Sequence, residues 1–382
     1  MKVKTGKVLI IAAAVLLVVL IGALFIPINS ADDGALMTIA CFSDPHHEYG
    51  VEQTDKKVRA STEKAVNYVK ELTGGVDLVM VGGDIAGRNG EWNDDNIKEM
   101  MNASFDVFKS ASTDGKVLLV TGNHDPEPSV HGEVTSINSN DYSQCIKAGL
   151  GDFDAAYYTS DLDNEFAGPF EELLCYRYKI NGINFIGLNT PYGDRREVKQ
   201  VGHNGLYYEQ VEWLQKQLEA IGKDETVFVL CHYPVDNIST VYVATEKVDS
   251  EEYNASRELM TQLVSEYDNM IYCYGHVHTE KHEAFFESGE IVGTFSDEGA
   301  IACHMGSLGY YNDHFGGPLA FEDPTVVQVT MIYIYTDRIV FEVHNTGGSE
   351  AYGGEYTLKP YVVMRDMSAA QKKTNLFSLL FK

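Results

Sequence analysis

The sequence predicts an α/β fold built on a mixed sheet system. Three observations carry that prediction. In the N-terminal half, short apolar runs alternate with amphipathic helical stretches, the pattern of strand–helix–strand units. Each run closes on Gly, Asp, Asn or His, the residues expected at the carboxyl ends of strands in open α/β sheets. Beyond about residue 282 strand-like runs follow one another directly, which is antiparallel in character.

The elements follow in order. Leu36–Phe42 is a short apolar run, read as a buried strand, and it delivers Ser43-Asp44-Pro45-His46. Thr54–Leu72 is predicted helical, with Val58, Thr62, Ala65, Val66 and Val69 on one face and Gly74-Gly75 as its stop. Val76–Val81 is a second buried strand ending at Gly82-Gly83-Asp84, and Asp94–Ser110 a second amphipathic helix. Val117–Val120 is the third strand and leads into Gly122-Asn123-His124-Asp125.

From Asp125 to about Glu172 the rhythm breaks, and this stretch is expected to be an insertion overhanging the site. Leu174–Ile180 and Asn184–Leu188 around Gly182 read as a hairpin. Tyr207–Ile221 is helical, Thr226–Leu230 a strand delivering Cys231-His232-Tyr-Pro, and Tyr253–Tyr267 a helix. Met270–Tyr274 is a strand delivering Gly275-His276-Val-His278. The later strands are expected at His282–Phe286, Glu290–Phe295, Ala300–Met305, Thr325–Tyr335 and Arg338–His344, with Asp337-Arg338 at the last turn. Residues 346–382 are expected to be a C-terminal tail, so the main domain spans 36–345.

Residues 1–31 stand apart from the fold. Lys2, Lys4 and Lys7 precede Val8–Ile26, which has 19 residues without a charge. A secretory signal has an apolar stretch of about 7–15 residues, and a spanning helix needs about 20. Asn29-Ser30-Ala31 is a poor cleavage site. The segment is therefore expected to be an uncleaved signal anchor, with a cleaved signal as the alternative. The lysines would stay inside and the remainder outside the cell membrane. The net charge of -27 disfavours nucleic acid as a partner of the body. Six cysteines leave any disulfide pairing open. Cys41, Cys231 and Cys273 sit in apolar runs and read as small buried hydrophobes.

Asp44, His46, Asp84, Asn123, His232, His276 and His278 share one chemistry. All are oxygen or nitrogen ligands, suited to manganese, iron or zinc, with no thiolate among them. Seven such groups exceed what one ion needs. Two ions bridged by one carboxylate is the economical reading, and Asp84 is the natural bridge. In Gly275-His-Val-His, alternate residues of an extended segment share a face only if the chain bends, and Gly275 is expected to allow that bend.

Asp44-x-His46, Gly83-Asp84, Gly122-Asn-His-Asp125, His232 and Gly275-His-x-His278 together resemble the calcineurin-like metallophosphoesterases. Gly205, Gln210, Trp213-Leu214 and Leu218 resemble a helix of that family. The resemblance implies a four-layer α/β/β/α sandwich of two mixed sheets. It implies one metal on Asp44, His46 and His278, another on Asn123, His232 and His276, and Asp84 between them. A bridging hydroxide would then attack phosphorus, and His124 would protonate the leaving oxygen. Two departures matter. Gly87 stands where Ser/Thr phosphatases of the family place an aspartate that orients the catalytic histidine, and Asp125 is the candidate to replace it. Gly87 also argues against the purple acid phosphatases, which place a metal-binding tyrosine there. Arg88 matches a phosphate-contacting arginine, with a surface arginine as the alternative, and His203 is placed to reach substrate.

The function expected is metal-dependent hydrolysis of a small phosphoester outside the cell. A cyclic-nucleotide or glycerophosphodiester phosphodiesterase is the alternative within enzymes. A surface binding protein on an inactive phosphoesterase scaffold is the alternative beyond them.

Overall fold

The computed structural model describes residues 34–47, 52–85, 103–122, 125, 156–158, 175–190, 205–206, 208–238, 250–276, 292–294, 299–308, 327–346, 356–357 and 360–365. In chain order the elements are β1 (Met37–Phe42), α1 (Glu52–Thr73), β2 (Leu78–Val81), α2 over 103–109 and β3 (Val117–Leu119). Then come β4 (Ala156–Tyr158), β5 (Cys175–Ile180), β6 (Ile183–Leu188), α3 (Tyr208–Ile221) and β7 (Val227–Cys231). The remainder are α4 (Ser250–Glu266), β8 (Met270–Tyr274), β9 (Val292–Thr294), β10 (Ile301–His304), β11 (Gln328–Ile334), β12 (Arg338–Asn345), β13 (Tyr356–Thr357) and β14 (Tyr361–Met364).

Two mixed sheets result. In sheet 1 the order is β13-β12-β11-β1-β2-β3, with β14 also pairing β12. Its β1–β2 and β2–β3 pairs are parallel, and its β1–β11 and β11–β12 pairs antiparallel. In sheet 2 the order is β4-β5-β6-β7-β8-β10-β9, parallel from β6 through β10 and antiparallel at both margins. Each sheet thus has a parallel portion, and the carboxyl ends of those strands are where an α/β sheet offers a site.

The strands are apolar on both faces because both faces are covered. Alternate residues of a strand point to opposite sides, and β7 and β8 divide accordingly. Val227, Val229, Cys231, Met270, Tyr272 and Tyr274 join Val211, Leu214 and Leu218 of α3 and Met260, Leu263 and Val264 of α4. Phe228, Leu230, Ile271 and Cys273 join the core shared with sheet 1. On β1, Cys41 lies beside Cys303 of sheet 2. Phe42 on the opposite face meets Phe108 of α2, with ring centroids 5.5 Å apart. Thr62, Ala65, Val66 and Val69 bury one stripe of α1, the helical spacing that the sequence shows. Gly74, at φ 76, closes that helix by donating its amide to the Lys70 carbonyl at 2.8 Å. The layers are therefore helices, sheet 1, sheet 2 and helices.

The structure adds detail to several expectations. Residues 156–158, inside the stretch expected to be an insertion, pair with β5 as an edge strand. Beyond Thr346, the tail supplies β13 and β14, both antiparallel to β12. These strands are two to four residues long and follow Gly-rich sequence, so no apolar period announces them. The run Val8–Ile26, residues 94–102 of the second predicted helix and the predicted strand His282–Phe286 lie outside the described residues. Among the described residues no helix is long and apolar enough to cross a membrane. Cys41, Cys175, Cys231, Cys273 and Cys303 are buried and free of disulfides; Cys145 lies outside the described residues. Burial pushes the Cys231 thiol up to about 11, so it packs as a small apolar group.

Candidate metal centre

Five strand ends converge. Asp44 and His46 follow β1, Asp84 follows β2, Asp125 follows β3, His232 follows β7 and His276 follows β8. Where β1 and β2 end, the ladder continues as a pair of turns. The Asp44 amide donates to the Gly83 carbonyl at 3.0 Å, His46 to Asp84 at 2.9 Å and His47 to Ile85 at 2.7 Å. These turns are strained. Asp44, His46, Asp84 and His276 have φ of 55, 46, 51 and 68, left-handed values that non-glycine residues rarely adopt. Such residues cost about 1–3 kcal/mol each and persist only where the surroundings over-determine them. Here they turn four side chains toward one point. After β8 the left-handed residue is His276; Val277 and His278, which the bend expected from the sequence would involve, lie outside the described residues. Gly275 is needed for space, since a Cβ there would strike Ser43 Oγ and lie 2.8 Å from Asp44 Oδ2.

Two groups of ligand atoms share Asp84. Asp44, His46 and Asp84 form one, and Asp84, His232 and His276 the other, each within 4.8 Å. His232 Nε2 lies 3.2 Å from Asp84 Oδ2 and 3.2 Å from His276 Nδ1. His46 Nε2 lies 3.6 Å from Asp84 Oδ2 and 3.8 Å from Asp44 Oδ1. Ligands bound to one ion at about 2.0–2.2 Å are themselves roughly 3.0–3.6 Å apart. The two distances from His232 already have that spacing, and the two from His46 are slightly wider. The donor set is all nitrogen and carboxylate oxygen, so it fits two borderline divalent or trivalent ions.

Hydrogen bonds fix the ligands from behind. The His232 Nδ1–H donates to the Gly82 carbonyl at 2.7 Å, which leaves Nε2 facing Asp84. Such a bond sets the tautomer of a metal-binding histidine. The His276 amide lies 3.2 and 3.1 Å from the two oxygens of Asp44. Asp125, nearly inaccessible, accepts the amides of Asp84 at 2.9 Å and Gly122 at 2.7 Å on a single oxygen, Oδ2. Gly122 cannot carry a side chain, because a Cβ there would strike Asp84 Oδ1.

Charge dominates the centre. Burial alone would push His232 down. The Asp84 carboxylate overrides it, helped by Asp44 and the Gly82 carbonyl, and His232 rises to about 9. A proton therefore occupies the ring at neutral pH when no cation does. This group stabilises the metal-free fold fully below about pH 6.5, and that contribution is lost as pH rises through about 9. His47, one residue beyond the ligand His46, shifts the other way. Burial and then Arg59 push its ring down to about 3, and it stays neutral.

Of the residues picked from the sequence, the structure brings Asp44, His46, Asp84, Asp125, His232 and His276 together. Asn123, His124, His278, Arg88 and His203 lie outside the described residues. Asn189, Thr190 and Tyr233 take part without having been singled out, and Gln210, noted only for its helix, joins them. Asn189 and Thr190, at the end of β6, close onto the end of β3. The Thr121 amide donates to Asn189 Oδ1 at 2.9 Å, and Thr190 Oγ1 donates to the Thr121 carbonyl at 3.0 Å. Gln210 of α3 donates to the Asn189 carbonyl at 2.9 Å. The Tyr233 ring packs edgewise on His232 and His276 at 5.2 and 5.3 Å, and its hydroxyl lies 3.2 Å from Thr190 Oγ1. A polar residue closing an apolar run was the available signal for Asn189 and Thr190, the same rule that identified Asp84.

A sequence family described as Calcineurin-like phosphoesterase matches residues 37–280, which include every described candidate ligand. No curated protein sequence matches the chain. Similar solved structures include a single mutant of Vps29 from Entamoeba histolytica, at 13% identity and a TM-score of 0.32, covering 86% of this chain and 99% of that one. Vps29 from Chaetomium thermophilum has 10% identity and a TM-score of 0.36, covering 87% and 98%. A Mycoplasma pneumoniae protein described as a novel phosphatase has 11% identity and a TM-score of 0.36, covering 90% and 98%. At these values the structural likenesses carry no argument about activity.

Proposed function

We propose that this chain, which belongs to the calcineurin-like phosphoesterase family, is a metal-dependent hydrolase of small phosphoesters held at the outer face of a cell membrane. The observation that carries the reading is Asp84, whose Oδ2 faces His46 on one side and His232 on the other. One carboxylate between two nitrogen donors, each with a further ligand, is a frame for two cations. Two ions held there would supply positive charge to the phosphate oxygens and acidify a water.

The residues of the chain do the rest. Asp44 and His46 would hold one ion, with His278 as the sequence's candidate for a further ligand. His232 and His276 would hold the other, with Asn123 as the candidate. Asp84 would balance the charge of both. Asp125 fixes the peptide of Asp84 against that of Gly122, and His124 beside it gives a proton to the leaving oxygen. Arg88 and His203 are the sequence's candidates to bind the phosphate. A chain with net charge -27 disfavours polyanionic substrates. The run Val8–Ile26 would tether the domain outside, its lysines remaining inside.

The test is turnover of chromogenic phosphate monoesters and diesters by the full chain with manganese, iron or zinc. Hydrolysis of at least one class, abolished by chelation, is expected. Two bound ions with no turnover of either class would overturn the hydrolase reading and favour a binding protein on an inactive scaffold.

A further inference from the structure

His47 is a buried histidine beside the centre that holds no place in it. It is 3% exposed, and its ring points into the layer of helices. There Nε2 lies 3.1 Å from Thr62 Oγ1 of α1, and Nδ1 lies 2.8 Å from Ser104 Oγ of α2. Both hydroxyls are buried. A neutral imidazole has one donor and one acceptor nitrogen on opposite edges, and each hydroxyl can play either part. A phenyl ring fills the same space and bonds neither hydroxyl. The His47 amide is committed as well, donating to the Ile85 carbonyl at 2.7 Å. One residue thus ties α1, α2 and the turn after β2 to the turn after β1.

The tie falls where the backbone has most reason to relax. Asp44 and His46 hold left-handed φ of 55 and 46, a conformation that sets Cβ too close to the following carbonyl oxygen. Phe42, at the other end of the turn, also reaches α2, through Phe108. The strained turn is therefore pinned to the helix layer at Phe42 and at His47, with the ligands between the pins. His232 and His276 are held differently, by the Gly82 carbonyl, by Asp44 and by the Tyr233 ring.

We propose that His47 is a positioning residue for one half of the centre: it holds the Asp44–His46 turn in its metal-binding shape by bonding Thr62 and Ser104. This inference rests on the two-ion reading above. It assigns helix packing on the outer face of sheet 1 first to the affinity of the Asp44–His46–Asp84 half; His232 and His276 come from strand ends of sheet 2 and touch the pinned turn only through Asp44.

The experiment is a manganese titration of the full chain followed by electron paramagnetic resonance, comparing wild type with His47→Phe, His47→Gln and Ser104→Ala. Supporting partners of metal ligands are worth about 10–100-fold in affinity. In His47→Phe one ion is expected to bind as in wild type and the other about 10–100-fold more weakly. The spin-coupled signal of a pair should then give way to an isolated six-line signal at one equivalent. His47→Gln, which keeps a donor and an acceptor, should recover part of the loss. Ser104→Ala removes one bond and keeps the packing, so it should show a smaller loss in the same half, and it serves if His47→Phe does not fold. Equal weakening of both ions overturns the proposal, as do unchanged affinities for both, whether or not the melting temperature falls. A wild-type chain that binds fewer than two ions overturns the two-ion reading itself, and this proposal with it.

Discussion

Replacing Asp84 by Asn is expected to abolish phosphoester hydrolysis and to leave the chain unable to hold a pair of ions. The cause is electrostatic. Asp84 Oδ2 lies 3.2 Å from His232 Nε2 and 3.6 Å from His46 Nε2, so its charge serves both halves at once. Loss of a supporting partner behind a ligand costs about 10–100-fold in affinity or activity. Loss of a ligand shared by two ions should exceed the upper end of that range. The variant keeps the side-chain shape, so the fold should survive. A second readout does not depend on metal. The Asp84 charge is the main influence raising His232 to about 9 against the effect of burial. In metal-free Asp84→Asn, burial should win, and the His232 ring should titrate well below 9. Proton NMR of the imidazole resonances measures this. A His232 that still titrates near 9 would mean that Asp84 is not its partner.

Asp125 is the second position of large effect, and the structure shows a backbone role for it beside the one the sequence suggested. It was the candidate to orient His124 in place of the aspartate missing at Gly87. The structure has its Oδ2 accepting two backbone amides, those of Asp84 and Gly122, at a site 1% exposed. Asp125→Leu keeps the bulk and removes the oxygen that both amides share. Each buried amide left without its partner costs about 1–3 kcal/mol, so a loss of about 2–6 kcal/mol in unfolding free energy is expected. Metal binding should weaken with it, because the Asp84 backbone sits at a strained φ of 51 and loses its clamp. Asp125→Asn retains an oxygen acceptor and should recover most of the stability. Urea unfolding of the metal-free proteins separates the cases. Equal stability of Asp125→Leu and wild type would show that Asp125 is no clamp.

Much of this was legible in the sequence, for identifiable reasons. The apolar stripe of α1 and the runs of β1, β2, β7 and β8 are periodic or continuous, so each strand end could be found and Asp44, Asp84, His232 and His276 placed on them. The convergence of those ends is a property of the parallel portions of two sheets. What stayed hidden acts through the backbone or joins distant segments. The positive φ at Asp44, His46, Asp84 and His276 leaves no mark in residue type, since none is glycine. The amides that Asp125 accepts belong to residues 41 and three positions away. His47 stood beside a recognisable ligand and had no period of its own, and its partners Thr62 and Ser104 are known only once the helices are packed. The bonds among Thr121, Asn189 and Thr190 join β3 to β6 across two sheets. The strands β13 and β14 are too short to announce themselves.

A frame for two cations around Asp84 is the centre on which every functional step depends. The most direct test is a calorimetric titration of the metal-free full chain with manganese, near neutral pH, in two buffers of different ionisation heat. Two ions per chain and a net release of protons are predicted, because His232 is protonated below about 9 in the metal-free state and must give up that proton to bind. Apparent affinity for the ion on His232 should rise about tenfold per pH unit as pH increases toward 9. One ion or none per chain at saturation, or binding without proton release, would contradict it.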